Sequence, residues 1–521
     1  MFKNLTMGGQ TTAHGVRMLR QVLKIGVIIA FLAFVGYIVY KMYTIDHWYY
    51  RSIPNLFKAI FRWDANAAEK WNQEVVALFN YAGKQIKPAL KFAGSVFLGY
   101  CLFASFKGRF TKRKKKIETK SGVKKVYIKN PLHRGFYLGS ASLPNGSENK
   151  HILISGGTGS GKTNAFYHIL NQVRDKKQKA VVMDSTGVFT KRYFKEDRDF
   201  ILNPFDSRGK GWHPWIECVE SFDYEAMAKS FIPTLKSEHD SYWKEAAASV
   251  FCALLEKQKG EHDLDALLNV LLKKSLADLS KTLDGTEGMA HIDPKSDKAA
   301  SSIRSVLATQ IKCLKYIKKT EQIFSIKKWM KDSKQDGFLF LSCKTEEREA
   351  LKPLISAWYS TAIRALMRLE PSEKRRIWFV NDELPSMDKI TGLETCLAEG
   401  RKYGACSLIA VQSPSQLEEL YGRCSAKTIA ANCNTKIVFR EAEPANAKQL
   451  SLLFGEEEIQ ETHEGFSYGA HQMRDGVNQS KVLRNRPVIS ATDIQNLKPH
   501  HCFLRKEGGI ERVKLKLAKK K

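Results

Sequence analysis

The sequence predicts an α/β protein with a mainly parallel sheet, an inserted all-α domain and two transmembrane helices that precede the sheet domain. Three observations lead to this fold class. Two apolar runs lie within the first 125 residues, short β-rich runs alternate with helical patterns after residue 125, and strand patterns are nearly absent from 222 to 329. A chain of 521 residues exceeds a single hydrophobic core, so several folded units are expected.

The first apolar run is IGVIIAFLAFVGYIVY, residues 25–40, which carries no charge and lies between Lys24 and Lys41. Long lysine stems can reach the lipid headgroups, so the run predicts a first membrane span, although it is shorter than the roughly 20 residues that a span usually needs. A signal peptide and a buried core helix are the alternatives. No small-residue cleavage site follows the run, which argues against the signal peptide.

The second apolar run, residues 89–106, is interrupted only by Lys91 and by small or hydroxyl residues, and the basic stretch KGRFTKRKKK follows it. Basic loops stay on the cytoplasmic side of membranes. The predicted topology therefore has two spans, both termini inside, an external loop at 42–88 and a basic juxtamembrane segment at 107–125. Tryptophans and tyrosines in the external loop suit interfacial anchoring. A buried core helix is again the alternative.

After residue 125 the pattern is that of an α/β domain formed by segments 126–221 and 330–521. Its predicted strands are short apolar runs: His151–Ser155, Ala180–Asp184, Gly337–Ser342, Arg376–Val380, Cys406–Gln412 and Thr435–Arg440. Between them, residues 222–329 repeat apolar residues at helical spacing, as in YWKEAAASVFCALLEKQ. This segment is predicted to be an all-α domain with a loop at 284–298.

The chain is strongly basic, because 84 Lys plus Arg face 54 Asp plus Glu and leave a formal net charge of +30. Such an excess indicates a polyanionic partner, nucleic acid or anionic lipid, and argues against an ordinary soluble enzyme. Solubility and the basic bias of cytoplasmic membrane flanks are the alternative explanations. Ten cysteines without a C-x-x-C pair point away from zinc sites and disulfides and towards a reducing compartment.

A glycine-rich loop between a predicted strand and a predicted helix matches G-x-x-x-x-G-K-[ST] in full. Its phosphate-binding candidates are Gly156, Gly157, Thr158, Gly159, Ser160, Gly161, Lys162 and Thr163. Backbone N–H groups of such a loop converge on phosphates, the lysine reaches the β- and γ-phosphates, and the threonine hydroxyl binds Mg²⁺. The loop predicts ATP and Mg²⁺ as cofactors. A plain glycine-rich turn is the alternative.

A second acidic site follows the apolar strand RIWFV, where Asp382 and Glu383 lie at the carboxyl end. Open α/β sheets bind ligands at that edge. Asp382 is predicted to hold the Mg²⁺ shell, and Glu383 to polarise the attacking water. The alternative is an acidic pair that caps the next helix. The long separation between Lys162 and Asp382 requires an inserted domain, which residues 222–329 supply.

Two further catalytic candidates flank the strand CSLIAV. Gln412 ends it, so its amide is placed to sense the γ-phosphate or the lytic water. Arg401, in GRKYG, precedes it on a turn, where it can serve a neighbouring subunit as an arginine finger. A strand-end hydrogen-bonding residue and a solvated turn cation are the alternatives. The NPFDSRGKGWHPW segment is interpreted as a structural hinge, with Asp206 paired to Arg208 and its tryptophans wedged against the helical domain.

Five segments resemble a known family: ISGGTGSGKTN, NPFDSRGKGWHPW, LISAWYSTAIRAL, NDELPSM and EGRKYGACSLIAVQSPSQLEELYG. They are similar to the type IV secretion coupling proteins of bacterial conjugation, of the kind called TraD, TrwB or VirD4, over nearly the whole chain. The N-terminal GGQTTAHGVRM looks most like the F-type TraD branch. That branch's long C-terminal extension is not seen, which puts relaxosome recognition by that route in doubt.

The resemblance implies a RecA-like motor with an all-helical domain over a central channel, assembled as a hexamer at the bacterial inner membrane. It assigns Lys162, Thr163, Asp382, Glu383 and Gln412 the roles given above, and Arg401 that of a finger in trans. One departure lies within the motifs: the polar Asn381 stands where an apolar residue commonly precedes the acid pair.

The predicted function is therefore an ATP-hydrolysing coupling protein that recruits the relaxase–DNA complex and pumps single-stranded DNA into a type IV secretion channel. The implied partners are single-stranded DNA, the relaxase, channel proteins of the inner membrane, the lipid bilayer and further copies of the chain. A receptor for protein effectors is one alternative, and a DNA pump resembling the FtsK group is another. The short basic end KLKLAKKK argues against the DNA-reading tail usual in that group.

Overall fold

A computed structural model describes residues 23–41, 65–118, 135–234, 241–293, 295–467 and 476–519. The chain divides into two compact units, Met1–Ser121 and Gly122–Lys521. The predicted boundary at residue 125 falls close to this division. The N-terminal GGQTTAHGVRM, Trp48, Trp63 and the last part of the predicted juxtamembrane segment lie outside the described residues.

The N-terminal unit contains helices α1 (Leu23–Lys41) and α2 (Ala65–Glu118). Among the described residues, α1 is the one helix long and apolar enough to cross a membrane, with a mean hydropathy of 2.2 over its apolar window. The second predicted span lies inside α2, and so does the part of the predicted external loop from residue 65 onwards. The helices contact each other through the rings of Tyr37 and Phe92, whose centroids lie 5.4 Å apart.

The second unit is built on a nine-stranded sheet. Two further ladders have two strands each, one formed by β1 and β2 and the other by β10 and β11. In chain order the strands are β1 (Tyr137–Leu138), β2 (Ala141–Ser142), β3 (Ile152–Ser155), β4 (Lys179–Asp184), β5 (Phe200–Leu202), β6 (Phe338–Ser342), β7 (Ile377–Asn381), β8 (Ala405–Val411), β9 (Thr435–Val438), β10 (Glu456–Ser467), β11 (Gly476–Pro487), β12 (His501–Lys506) and β13 (Gly509–Lys514). All six predicted strands are confirmed.

The strand order of the large sheet is β13-β12-β9-β3-β8-β7-β4-β6-β5. From β9 to β5 every neighbouring pair is parallel, whereas β12 pairs antiparallel with β9 and β13. The mainly parallel sheet predicted from the sequence is thus confirmed, with an antiparallel edge added. The central strand β8 and its neighbour β3 bring their carboxyl ends to one edge, where a ligand site is expected.

Fourteen further α-helices pack around the sheet in the described part of this unit. They are α3 (Lys162–Asp175), α4 (Val188–Tyr193), α5 (Ser221–Phe231), α6 (Ser241–Lys257), α7 (Leu264–Leu272), α8 (Leu276–Thr282), α9 (Asp297–Ile311), α10 (Ile326–Lys331), α11 (Arg348–Met367), α12 (Leu393–Glu399), α13 (Pro414–Tyr421), α14 (Arg423–Asn432), α15 (Pro444–Leu452) and α16 (Ala491–Gln495). Between α5 and α10 the described elements are all helical. The predicted loop at 284–298 contains a short 3-10 helix, Glu287–His291.

Both faces of the sheet are covered, because side chains of a strand alternate between faces. On β3, Ile152 and Ile154 join one apolar cluster with α3 and α4, whereas Leu153 joins another with α11 and the helices after α5. Continuous apolar strands such as FLFLS in β6 are expected for a sheet buried on both sides. The sheet core and the core of the helical segment are therefore one continuous apolar cluster on the second face.

The NPFDSRGKGWHPW segment connects the sheet to the helical segment. Asp206 and Arg208 form the predicted pair, with Nη2 2.6 Å from Oδ2. Trp212 packs edge-on against Trp358 of α11 at 5.8 Å between ring centroids. Trp215 is buried and donates its indole N–H to the Leu255 carbonyl of α6 at 2.8 Å. The predicted wedge of tryptophans between the two parts is therefore present.

The segment from residue 515 to 519 lies along the outer side of α3. Asn164, which directly follows the glycine-rich loop, donates to the Lys516 carbonyl at 2.9 Å and accepts the Ala518 N–H at 2.8 Å. His168 adds a second contact to the Lys516 carbonyl at 2.8 Å. Side chains of α3 thus form the hydrogen bonds with the backbone of the C-terminal segment that the backbone of a neighbouring strand would otherwise form.

Candidate active site

The glycine-rich loop connects β3 to α3 with the backbone that its glycines allow. Gly156 and Gly161 have φ angles of 147° and 118°, in the region that side chains rarely adopt. A Cβ on Gly156 would lie 2.7 Å from the Cβ of Phe439, so the loop also needs the missing side chain for space. The Gly157 N–H is held by the Arg440 carbonyl at 2.8 Å. The segment that follows β9 thereby fixes the start of the loop.

Lys162 bends back over its own loop at the start of α3. Its Nζ donates to the carbonyls of Gly156 at 2.5 Å and Gly157 at 3.2 Å. Burial lowers the pKa of this lysine, and the carboxylates of Glu383 and Glu441 oppose that shift. Because the ammonium has only carbonyl partners here, polyphosphate oxygens would be stronger ligands for it.

The acid pair lies at the carboxyl end of β7, on the same edge as the loop. Ser185, which follows β4, donates its hydroxyl to Oδ1 of Asp382 at 3.2 Å. Burial raises the pKa of Asp382 to about 7, and the nearby carboxylate of Asp184 adds to the shift. Asp184 itself is occupied, since it accepts the N–H and hydroxyl of Thr190 at 2.7 and 2.8 Å. Of the two aspartates, Asp382 is therefore the one whose carboxylate is available to a ligand.

Glu383 and Gln412 meet next to the glycine-rich loop. Burial raises the pKa of Glu383, whereas hydrogen bonds from Gln412 and the charge of Lys162 oppose the rise. The Gln412 Oε1 also accepts from the hydroxyl of Thr158 at 3.5 Å. Asn381, the polar departure in the acid motif, is buried and accepts the Glu383 N–H at 3.2 Å, so it shapes the turn that presents the glutamate.

The residues at this edge fit Mg²⁺. The carboxylate of Asp382 and the hydroxyl of Thr163 are oxygen ligands, and Thr163 is exposed in the first turn of α3. Asp382 and Glu383 place two carboxylates near the Lys162 ammonium, and their oxygens are the kind of ligand that a divalent cation takes. The acidic side of the site therefore has the chemistry that a magnesium–nucleotide complex needs.

A cleft of about 560 Å³ opens beside the loop. It is lined by residues 157–160, by Gln412 and by residues 440–442 after β9. Glu441 is buried there, although the sequence analysis did not select it. The sequence feature that could have identified Glu441 is its position after the apolar strand β9, which pairs with the strand β3 that leads into the glycine-rich loop. Ser185 was missed as well, because a serine after an apolar strand is too common a pattern to single out.

Arg401 lies away from these residues. It sits in a 3-10 turn, Gly400–Tyr403, that precedes β8, whereas Gln412 follows that strand. The seven-residue strand separates the two by about 23 Å at 3.3 Å per residue. Arg401 is exposed and lines a second cavity of about 940 Å³ with Arg376, Lys402 and Lys150. The structure thus brings the other candidates together and places Arg401 at the opposite edge.

A strand–loop–helix for phosphate, followed by an acid pair on a separate parallel strand, defines a P-loop ATPase with a RecA-like sheet and a helical domain. Residues 136–518 match the family described as the type IV secretion-system coupling protein DNA-binding domain. The chain belongs to the family of type IV secretion-system coupling proteins, and the resemblance drawn from its motifs is confirmed.

Relatives agree with that assignment. The coupling protein TraD of Escherichia coli (strain K12) is 28% identical over 561 residues, which cover 99% of this chain and 77% of that protein. The bacterial conjugative coupling protein TrwBdeltaN70 matches with a TM-score of 0.67 at 26% identity, over 74% of this chain and 90% of its own. A structure of the plasmid coupling protein TrwB with ADP and Mg²⁺ matches with a TM-score of 0.67 at 25% identity, over 77% and 92%.

Proposed function

We propose that this protein is an ATP-driven motor of the bacterial inner membrane that moves single-stranded DNA, with its attached relaxase, towards a type IV secretion channel. The observation that carries the proposal is the meeting of the P-loop with Glu383 and Gln412 at one sheet edge. Binding alone needs the loop, whereas hydrolysis also needs a base and a sensor for the attacking water. Membership of the coupling-protein family supports the direction of transport.

ATP and Mg²⁺ are the proposed cofactors, and TrwB has been solved with ADP and Mg²⁺ and with a non-hydrolysable ATP analogue. Thr163 and Asp382 would hold the metal, which when bound shields the phosphate charges. Lys162 would leave its carbonyl partners for the β- and γ-phosphates. The backbone N–H groups of residues 156–163 would cradle the phosphates at the positive end of α3.

Glu383 is the proposed general base. Its raised pKa brings the carboxylate closer to the range in which it accepts a proton from water at neutral pH. Gln412 donates to that carboxylate and so fixes its orientation. Because Gln412 directly follows β8, a contact of its amide with the γ-phosphate would be transmitted to that strand.

Arg401 is proposed to act on the nucleotide of a neighbouring subunit, since its own site lies at the other end of β8. A ring of six copies in one orientation would bring the opposite edges of adjacent sheets together. Segments 126–221 and 330–521 would form the motor domain of each copy. Residues 222–329 would form the all-α domain that faces cargo, and the tryptophan wedge would transmit movement to it.

The proposed function predicts that single-stranded DNA stimulates ATP hydrolysis by the full-length protein in detergent micelles. Stimulation should be several-fold at low salt and decrease as salt rises, because phosphate contacts release counterions. Absence of stimulation at low salt, with the fold intact by circular dichroism, would refute DNA pumping.

In the same assay the rate per subunit should rise with protein concentration in the wild type and stay low in R401A, if Arg401 acts in trans.

Two membrane spans, at about 25–40 and 89–106, are proposed with both termini and the motor in the cytoplasm. The contacts run antiparallel: Gly26 approaches the ring of Phe97, whereas Tyr37 meets Phe92. At 1.5 Å per residue the 54-residue helix α2 is about 80 Å long, so it would extend beyond a hydrocarbon layer of roughly 30 Å.

This topology predicts that alkaline phosphatase fused within residues 42–64 is active in the periplasm. The same enzyme fused after residue 125 should be inactive, because it stays in the cytoplasm. Activity of the second fusion would overturn the two-span arrangement.

A further inference from the structure

Arg348 is a cation close to the acid pair that the proposed catalytic set does not use. It is the first residue of α11, separated by five residues from the carboxyl end of β6, and it is half-buried. Its Nη2 donates to the Ser185 carbonyl at 2.9 Å. Ser185 in turn donates its hydroxyl to Asp382 at 3.2 Å. A single residue therefore stands between this guanidinium and the carboxylate proposed to hold Mg²⁺.

The charge of Arg348 also acts on Glu383. Burial raises the pKa of that glutamate, and the guanidinium is among the groups that oppose the rise, together with Gln412 and Lys162. The guanidinium is thus linked to both members of the acid pair, to Glu383 by its charge and to Asp382 through the hydrogen bonds of Ser185.

Helix stability does not explain an arginine at this position. The first turn of a helix carries positive partial charge, so a cation there destabilises the helix. The Nε of Arg348 is also buried without a hydrogen-bond partner among the described residues, which adds a cost. The interactions that offset these costs are the hydrogen bond to the Ser185 carbonyl and the attraction between the guanidinium and the acid pair.

Helix α11 continues from the acid pair to the helical segment. Its middle is buried, with Trp358 against Trp212, and just beyond its last turn Arg368 pairs with Asp223 of α5. Twenty residues at 1.5 Å each give about 30 Å. The helix that holds the arginine is thus a rigid connection from the hydrolytic edge to the proposed cargo domain.

We propose that Arg348 is a positioning residue of the ATPase, and this proposal rests on the ATP hydrolysis proposed above. It holds the turn at Ser185 and thereby the carboxylate of Asp382. In this role the guanidinium acts through Ser185 and the acid pair.

The test is steady-state ATP hydrolysis by the full-length protein without DNA, for wild type, R348M, R348K and K352M. We expect R348M to lower kcat about 10- to 100-fold while KM for ATP changes less than about threefold. R348K should recover part of the loss because it keeps the charge but not the planar fork. K352M is the matched control, since Lys352 lies one turn further on α11 and pairs with Asp388 at 3.8 Å.

Wild-type kcat in R348M, or an equal loss in K352M, would overturn the proposal. A purely structural role would lower the folded fraction, and hence the apparent kcat of R348M and R348K alike, in proportion to their melting temperatures. If R348M does not fold, R348K decides, because a folded R348K with unchanged kcat would also overturn the proposal. Absence of ATP hydrolysis in the wild type is a separate result, which would refute the proposed function instead.

Discussion

Replacing Glu383 by glutamine is expected to lower the rate of ATP hydrolysis by about 10²- to 10⁴-fold, the range that loss of a general base produces. Glutamine keeps the size of the side chain and can still bond to Gln412, but it cannot accept a proton from water. The P-loop contacts of Lys162 are unchanged. ATP should therefore still bind, and kcat should fall with little change in the dissociation constant.

Single-turnover hydrolysis and binding of a fluorescent ATP analogue measure the two effects separately. E370Q is a suitable control, because Glu370 is an exposed carboxylate in the segment between α11 and β7, before that strand begins. A fall in kcat of less than tenfold in E383Q would assign the base to another group, and Glu441 in the nucleotide cleft would be the next candidate.

Apolar pattern and glycine chemistry made most of the sheet and the P-loop predictable. Strands such as β6 and β7 are continuous apolar runs, which a sheet buried on both faces requires. Strand β5 was missed because it has only three residues. The β10–β11 hairpin was missed because charged residues such as EEE at its start hide the strand pattern, and no strand was predicted for the antiparallel β12–β13 edge.

Contacts across the site were not predictable in the same way. The sequence placed Asp382, Glu383 and Gln412 at strand ends, and the order of parallel strands brought them to the loop. Nothing local shows that Ser185 reaches Asp382, because that hydrogen bond depends on β4 and β7 being neighbours. The position of Arg348 depends likewise on β6 lying beyond β4.

Replacing Asp382 by asparagine is expected to make the metal-free protein more stable and the enzyme inactive. Burial beside Asp184 raises the folded-state pKa of Asp382 to about 7, against about 3.9 in an unfolded chain. Its contribution to stability is therefore present below about pH 4 and lost as the pH rises through about 7. Asparagine removes the charge and can still accept from Ser185. At pH 8 we expect a gain of up to about 4 kcal/mol, which corresponds to a pKa difference of about 3, and a rise of several degrees in melting temperature.

Thermal unfolding at pH 5 and pH 8, with and without Mg²⁺ and ADP, measures the difference in melting temperature between D382N and the wild type. The advantage of D382N should be largest at pH 8 without ligand, and Mg–ADP should reverse the ranking, because only the wild type gains binding energy through the carboxylate. D184N is the matched comparison. It removes the same charge but also a hydrogen bond from Thr190, so it should lose stability. A metal-free D382N less stable than wild type at pH 8 would mean that charges of the protein itself already compensate Asp382, and the site would then have less need of a cation.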